Sequence, residues 1–164
     1  MSDKALILKP IVESKEILTS LRSGQLLAVS GTRGNALIVC HTHYAEIAGP
    51  GAAVGRFFDL DCHRIIPIGT VSLIYPESGS QRQQAYATRK NWVALMQKMT
   101  SNPVPLQRAQ TLLKFLHKYF PADAIAQLPD EILAQLVGVL PKTIEIVRHA
   151  FVSQPQSQPA ATLR

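Results

Sequence analysis

Two short stretches carry side chains able to hold a metal or move a proton. They are Cys40-His41-Thr42-His43 and Cys62-His63, with Glu46, Asp59 and Asp61 close to them in the chain. Thiolate and imidazole are donors for zinc and other transition metals, and a histidine beside a carboxylate can serve as an acid–base pair. The spacing argues against both chemistries. There is no Cys-x-x-Cys pair, and if residues 35–43 form a strand, Cys40 points away from His41 and His43. Strand cysteines are more often small buried apolar groups, and nothing in the spacing links a nucleophile to a base. Gly31-Thr32-Arg33-Gly34 and Gly49-Pro50-Gly51 lack the Gly-Lys-Ser/Thr ending of a phosphate loop. The expectation is therefore no metal, no cofactor and no enzymatic activity.

The elements that must position these residues read as β-rich. Ala5 to Pro10 has the pattern of a short strand, and Glu13 to Arg22 that of a helix, with Ile17, Leu18 and Leu21 at helical spacing before Gly24. Gln25 to Ser30 and Asn35 to His43 are β-rich runs around a hairpin-like turn at Gly31 to Gly34. Ala45 to Gly55 reads as a loop or bulged connection, and Arg56 to Leu60 as a short strand. In Ile65 to Tyr75, a further β-rich stretch, Pro67 and Gly69 argue for an edge or a bend.

Beyond residue 76 the pattern becomes helical. Turn-forming residues cluster at Pro76 to Gln81, so the chain is expected to be α+β, with a small β-rich unit over 1–76, a linker over 77–83 and a helical unit over 84–152. Helices are expected over Gln84 to Met99, Leu106 to Phe120, Pro129 to Val137 and Lys142 to Val152. A Val93, Met96 and Met99 stripe on the first of these suggests a homodimer seam. Trp92 on the same helix is expected to pack in a core or a dimer contact. The Gln/Pro/Ser-rich tail over 153–164 has the composition of a disordered segment.

Charge divides the chain in the same place. Residues 1–80 hold seven basic and seven acidic side chains, whereas residues 81–164 hold ten and four, so the whole net charge of +6 lies in the second half. No carboxylate occurs from Ser78 to Ala122. A localised positive field of this kind attracts polyanions. No apolar run approaches the roughly 18 to 20 residues of a membrane span, so no membrane partner is expected. Met1-Ser2-Asp3-Lys4 lacks the basic and apolar regions of a signal peptide, which makes the cytoplasm the expectation. Two cysteines exclude a disulfide scaffold.

One segment adds a specific reading. Within Glu131 to Phe151, Ala134 supplies a small side chain and Gly138, four residues on, a permissive turn position, after which Ile144 and Val147 begin a second apolar stripe. Two helices crossing over a short turn need those features, as in a helix-turn-helix. Leu133-Ala134-Gln135-Leu136-Val137-Gly138-Val139 resembles the DNA-binding domain of the cyclic-nucleotide receptor/Fnr family of transcription regulators. The preceding Gln107 to Lys118 helix is similar to the one that supports the motif there. The resemblance covers about 45 residues, Leu106 to Phe151. It departs from the family at Leu140, where a Ser or Thr cap is usual, at Pro141 and Lys142, where Arg and Glu are usual, and at Ile146, where a second Arg is frequent. No β-wing is expected after Phe151, and no phosphate-binding cassette is visible in residues 1–76.

The resemblance implies a transcription regulator that binds double-stranded DNA with limited base readout. Lys142, Thr143, Arg148 and His149 are then the exposed candidates on the second helix, and Arg108, Lys114 and Lys118 the phosphate contacts. Ile144, Val147 and Phe151 are expected to face the core. The alternative is a protein-interaction adaptor that keeps the helix-turn-helix without binding DNA.

Overall fold

The computed structural model describes residues 14–30 and 33–153. The strand expected over 5–10 and the tail over 154–164 lie outside them. Helix α1 (Ser14–Arg22) is followed by six strands: β1 (Leu26–Val29), β2 (Ala36–Cys40), β3 (Ala45–Ala48), β4 (Ala53–Gly55), β5 (Arg64–Ile68) and β6 (Leu73–Ile74). The helices α2 (Gly79–Thr100), α3 (Pro105–Tyr119), α4 (Ala122–Ala126), α5 (Asp130–Val137) and α6 (Pro141–Ser153) complete an α+β fold.

The strands form two antiparallel three-stranded sheets, ordered β4-β1-β6 and β3-β2-β5. Strand β2, the run Ala-Leu-Ile-Val-Cys, is buried along its whole length because both of its faces are covered. Leu37 and Val39 face a cluster with Ile17 and Leu21 of α1 and Leu27 and Val29 of β1. Ala36, Ile38 and Cys40 face Leu112, Leu113, Leu116 and Leu133 of the helices. The second sheet is therefore the shared wall of two cores. Helix α2 closes the outer side of the first sheet through small residues, with Ala85 on Ala28 and Ala53.

Several expectations are corrected. The Gly31 to Gly34 segment does not join a hairpin, since β1 pairs with β4 and β6 while β2 pairs with β3 and β5. Ala45 to Gly55 is not a loop but contains β3 and β4. Its alanines have weak β-propensity, and burial against α2 and both cores overrides that preference. Arg56 to Leu60 is a turn rather than a strand, with Arg56 at φ 52° and Asp59 accepting the Gly55 N–H at 2.7 Å. Pro67 does sit on an edge strand, β5.

Helix α2 begins at Gly79, inside the stretch expected as linker. Ser78 and Gln81 make a reciprocal capping box there, a Ser-x-x-Gln signal that was visible in the sequence. The dimer stripe is also corrected in part. Met96 and Met99 are buried among the helices of the same chain, because α2 lies against α3, α5 and β3 and so has a core to enter. Trp92 packs against both cores and lies edge-on to Phe115 and Tyr119. The short helix α4 was not anticipated; five residues are too few to show a period. Among the described residues no helix is long and apolar enough to cross a membrane.

Candidate functional site

Two arrangements have chemical potential, a three-helix unit near the C-terminus and a buried ionic cluster near the N-terminal sheets. In the first, α5 begins after Pro129 with Asp130 and Glu131 in its first turn, where the positive end of the helix dipole favours carboxylates. Ile132, Leu133, Leu136 and Val137 face the core, and buried Ala134 lets the next helix cross closely. Gly138 ends α5 at φ 64°, a left-handed position that a Cβ would strain. The N–H groups of Gly138 and Val139 both donate to the Ala134 carbonyl, which turns the chain sharply into Leu140. Helix α6 then starts at Pro141, a residue suited to the first helical position. Ile144 and Val147 are buried, and Phe151 is half-buried and stacked on His117.

The candidate DNA contacts fall into two groups. Arg108 donates to the carbonyls of Asn102, Val137 and Gly138 at 2.7 to 2.9 Å and so caps the C-terminal end of α5. Arg148 donates to the Leu128 and Ile125 carbonyls and pairs with Asp130 at 3.2 Å. Both guanidinium groups therefore hold the three helices in place. Lys114, Lys118, Lys142 and His149 are exposed, and Thr143 is half-exposed. Lys142 pairs with Glu145 one turn along α6, and Lys118 lies over the Tyr119 ring. Leu140 and Val152 on this unit are 72% and 84% exposed, and Ile146 is exposed between them in sequence.

The second arrangement was not anticipated. His41 is 1% exposed, Asp59 0% and Arg89 4%, and all three meet beside Glu46. The turn after β2 carries His41, β3 carries Glu46, the β4–β5 turn carries Asp59 and Asp61, and α2 carries Arg89. Arg89 donates to both Asp59 oxygens at 3.1 and 3.3 Å, to Glu46 and to the Ala53 carbonyl. His41 Nδ1 lies 2.7 Å from Asp61 Oδ1. Its Nε2 is 3.5 Å from Asp59 Oδ1 and 3.8 Å from Glu46 Oε2, and has no hydrogen-bond partner. Tyr44 stacks on the imidazole at 4.6 Å. Glu46 and Arg89 also line a cleft of about 470 Å³ with Tyr44, Phe58, Tyr86 and Lys90.

Electrostatics follow from this packing. Glu46, acting across 3.8 Å as a charge rather than a hydrogen-bond partner, raises the His41 pKa against the lowering effect of burial. Burial alone would raise Glu46, but His41 and Arg89 hold it down at about 2. The imidazole lowers the pKa of Asp61. Burial opposes the charge on Arg89, and Asp59 and Glu46 more than offset it.

The cysteine-containing set considered for metal binding, and argued against on its spacing, does not assemble. His43 and His63 are exposed, while Cys40 and Cys62 are buried in different apolar clusters. Burial raises the Cys40 thiol and pushes Cys62 up to about 11, so both are protonated at neutral pH. The native chain is accordingly expected to resist alkylation at pH 8 and to release two reactive thiols on unfolding in denaturant. Intact-mass analysis after brief iodoacetamide treatment checks this, and rapid double labelling of the folded chain would contradict it.

Comparison with protein-family models, curated proteins and solved structures finds no match.

Proposed function

We propose that the chain is a DNA-binding transcription regulator that uses α5 and α6 as a helix-turn-helix, with α3 as its support. The observation that carries this reading is the left-handed turn at Gly138, which directs α6 away from α5 with its first turn, Pro141 and Lys142, exposed. Lys142, Thr143 and His149 are the surface groups of α6 that would meet DNA, and Lys114 and Lys118 would meet phosphate. Arg108 and Arg148 serve this function by positioning α6. With no arginine free at the start of α6, phosphate attraction outweighs base readout. The protein is then a regulator whose affinity is steeply salt-dependent and whose sequence discrimination is modest.

A protein-interaction module is the second reading, and the exposed Leu140, Ile146 and Val152 favour it, since DNA recognition has little use for three such groups around one helix. Titration into labelled duplex DNA at low and near-physiological salt separates the two. Lys114→Ala and Lys118→Ala are each expected to weaken binding on every duplex and to reduce the log–log salt slope by about 1 per lost phosphate contact. Absence of binding at low salt overturns the DNA reading and leaves the exposed apolar residues in and beside α6 as the working surface.

A further inference from the structure

We propose that His41, Glu46 and Asp59 form a site for one divalent first-row transition-metal ion, with Asp61 orienting the histidine. The hydrogen bond between His41 Nδ1 and Asp61 selects the tautomer with the proton on Nδ1, which leaves the lone pair of Nε2 facing inward. That lone pair faces two carboxylate oxygens, Asp59 Oδ1 at 3.5 Å and Glu46 Oε2 at 3.8 Å, and no hydrogen bond satisfies it. These three donor atoms lie within 4.8 Å of one another, and the Arg89 guanidinium pairs with the two carboxylate oxygens while leaving Nε2 without a partner, which an ion among the three would supply. Donors about 2.0 to 2.2 Å from zinc in a tetrahedron stand roughly 3.3 to 3.6 Å apart, so the 3.5 Å pair fits an ion as it stands and Glu46, on the half-exposed side, closes in from 3.8 Å by a few tenths of an ångström.

Charge points the same way. Glu46, Asp59 and Asp61 bring three carboxylates to the cluster, and Arg89 supplies one fixed positive charge. Arg89 uses Glu46 Oε2 and both Asp59 oxygens as acceptors, yet each carboxylate oxygen has a second lone pair available to an ion. A divalent cation cancels the remaining negative charge in a place where Asp59 has no exposure to water. The donor set of one imidazole and two carboxylates, without thiolate, belongs to zinc, manganese or iron(II). Half-exposed Glu46 on the wall of the cleft, and exposed Asp61, give the ion a route from solvent.

The test uses the purified full chain, stripped with chelator and titrated with cobalt(II) and with zinc(II). One ion per chain is expected, with a cobalt d–d spectrum that lacks a thiolate charge-transfer band. Asp61→Ala, a change at an exposed side chain, is expected to weaken binding 10- to 100-fold by releasing the orientation of His41. Glu46→Gln should abolish saturable uptake, with circular dichroism confirming that the variant is folded. The surface double variant His43→Gln/His63→Gln should bind as the parent does. No saturable uptake by the folded parent chain, a thiolate band, or loss of binding in that surface variant would each overturn the proposal. DNA titration of the stripped chain is scored separately, so failure of this site leaves the function proposed above standing.

Discussion

Replacement of Arg89 by alanine is expected to lower the free energy of unfolding by about 3 to 5 kcal/mol. The guanidinium lies between the two sheets and α2, donating to Asp59, Glu46 and the Ala53 carbonyl. Its removal leaves two carboxylates with little solvent and no fixed counter-charge, and the cost is mostly that of the unpaired anions. Arg89→Lys should recover only part of the loss, because an ammonium cannot make the same forked contact with Asp59.

The Arg89 deficit should also depend on pH. In the parent chain Glu46 is held at about 2 against an ordinary value of 4.5. A depressed carboxylate contributes stability that is fully present above the unfolded pKa and is lost as pH falls through the folded pKa. The parent therefore loses this contribution between about pH 4.5 and 2, whereas the alanine variant has already lost the part due to Arg89. The gap between them should be widest above pH 4.5 and should narrow in acid. Urea titrations of both chains in chelator at pH 7, 4.5 and 3 check the size and the sign. A gap that widens in acid would contradict the pairing.

The second large effect is expected at Gly55. It stands at φ 86° at the end of β4, donates its N–H to Asp59, and leaves no room for a Cβ beside the Gln25 carbonyl oxygen. Gly55→Ala therefore combines backbone strain of roughly 1 to 3 kcal/mol with a collision against main chain that cannot rotate away. A total loss of about 3 kcal/mol or more is expected. Gly24→Ala is the matching control, because Gly24 has φ 81° but a Cβ there meets nothing within 4 Å. It should cost only the left-handed penalty, roughly 1 to 2 kcal/mol. Equal losses in the two variants, measured by denaturant unfolding, would show that the close approach to Gln25 carries no energy.

The three-helix unit was readable because its signals are local. Apolar residues recur at helical spacing in α3 and α6, and Gly138 marks the turn between α5 and α6. These features act within a few residues and need no knowledge of the rest of the chain. The β-rich run over Asn35 to His43 likewise marked β2 as a strand, while the covering of both its faces was decided by the fold. The fate of the cations was not readable in that way. Arg108 and Arg148 look like phosphate ligands in a basic segment, and the fold commits both to carbonyls and, for Arg148, to Asp130. A side chain's type states which partners it can accept, and packing states which one it meets.

The ionic cluster shows the same division most clearly. His41, Glu46, Asp59 and Asp61 were all recognised as chemically able residues, but no spacing joined them, and Arg89 was counted only as part of a positive field. His41 and Asp61 are 20 residues apart, Arg89 and Asp59 30, and Arg89 and Glu46 43. Composition, helical period and turn chemistry were enough to establish an α+β chain with a basic helical half, since each depends on near neighbours. The pairing of strands into two sheets, the closure of α2 over them and the meeting of three carboxylates with one arginine and one histidine required the folded chain. Burial there depends on long-range crossings, and burial sets the electrostatics of those groups.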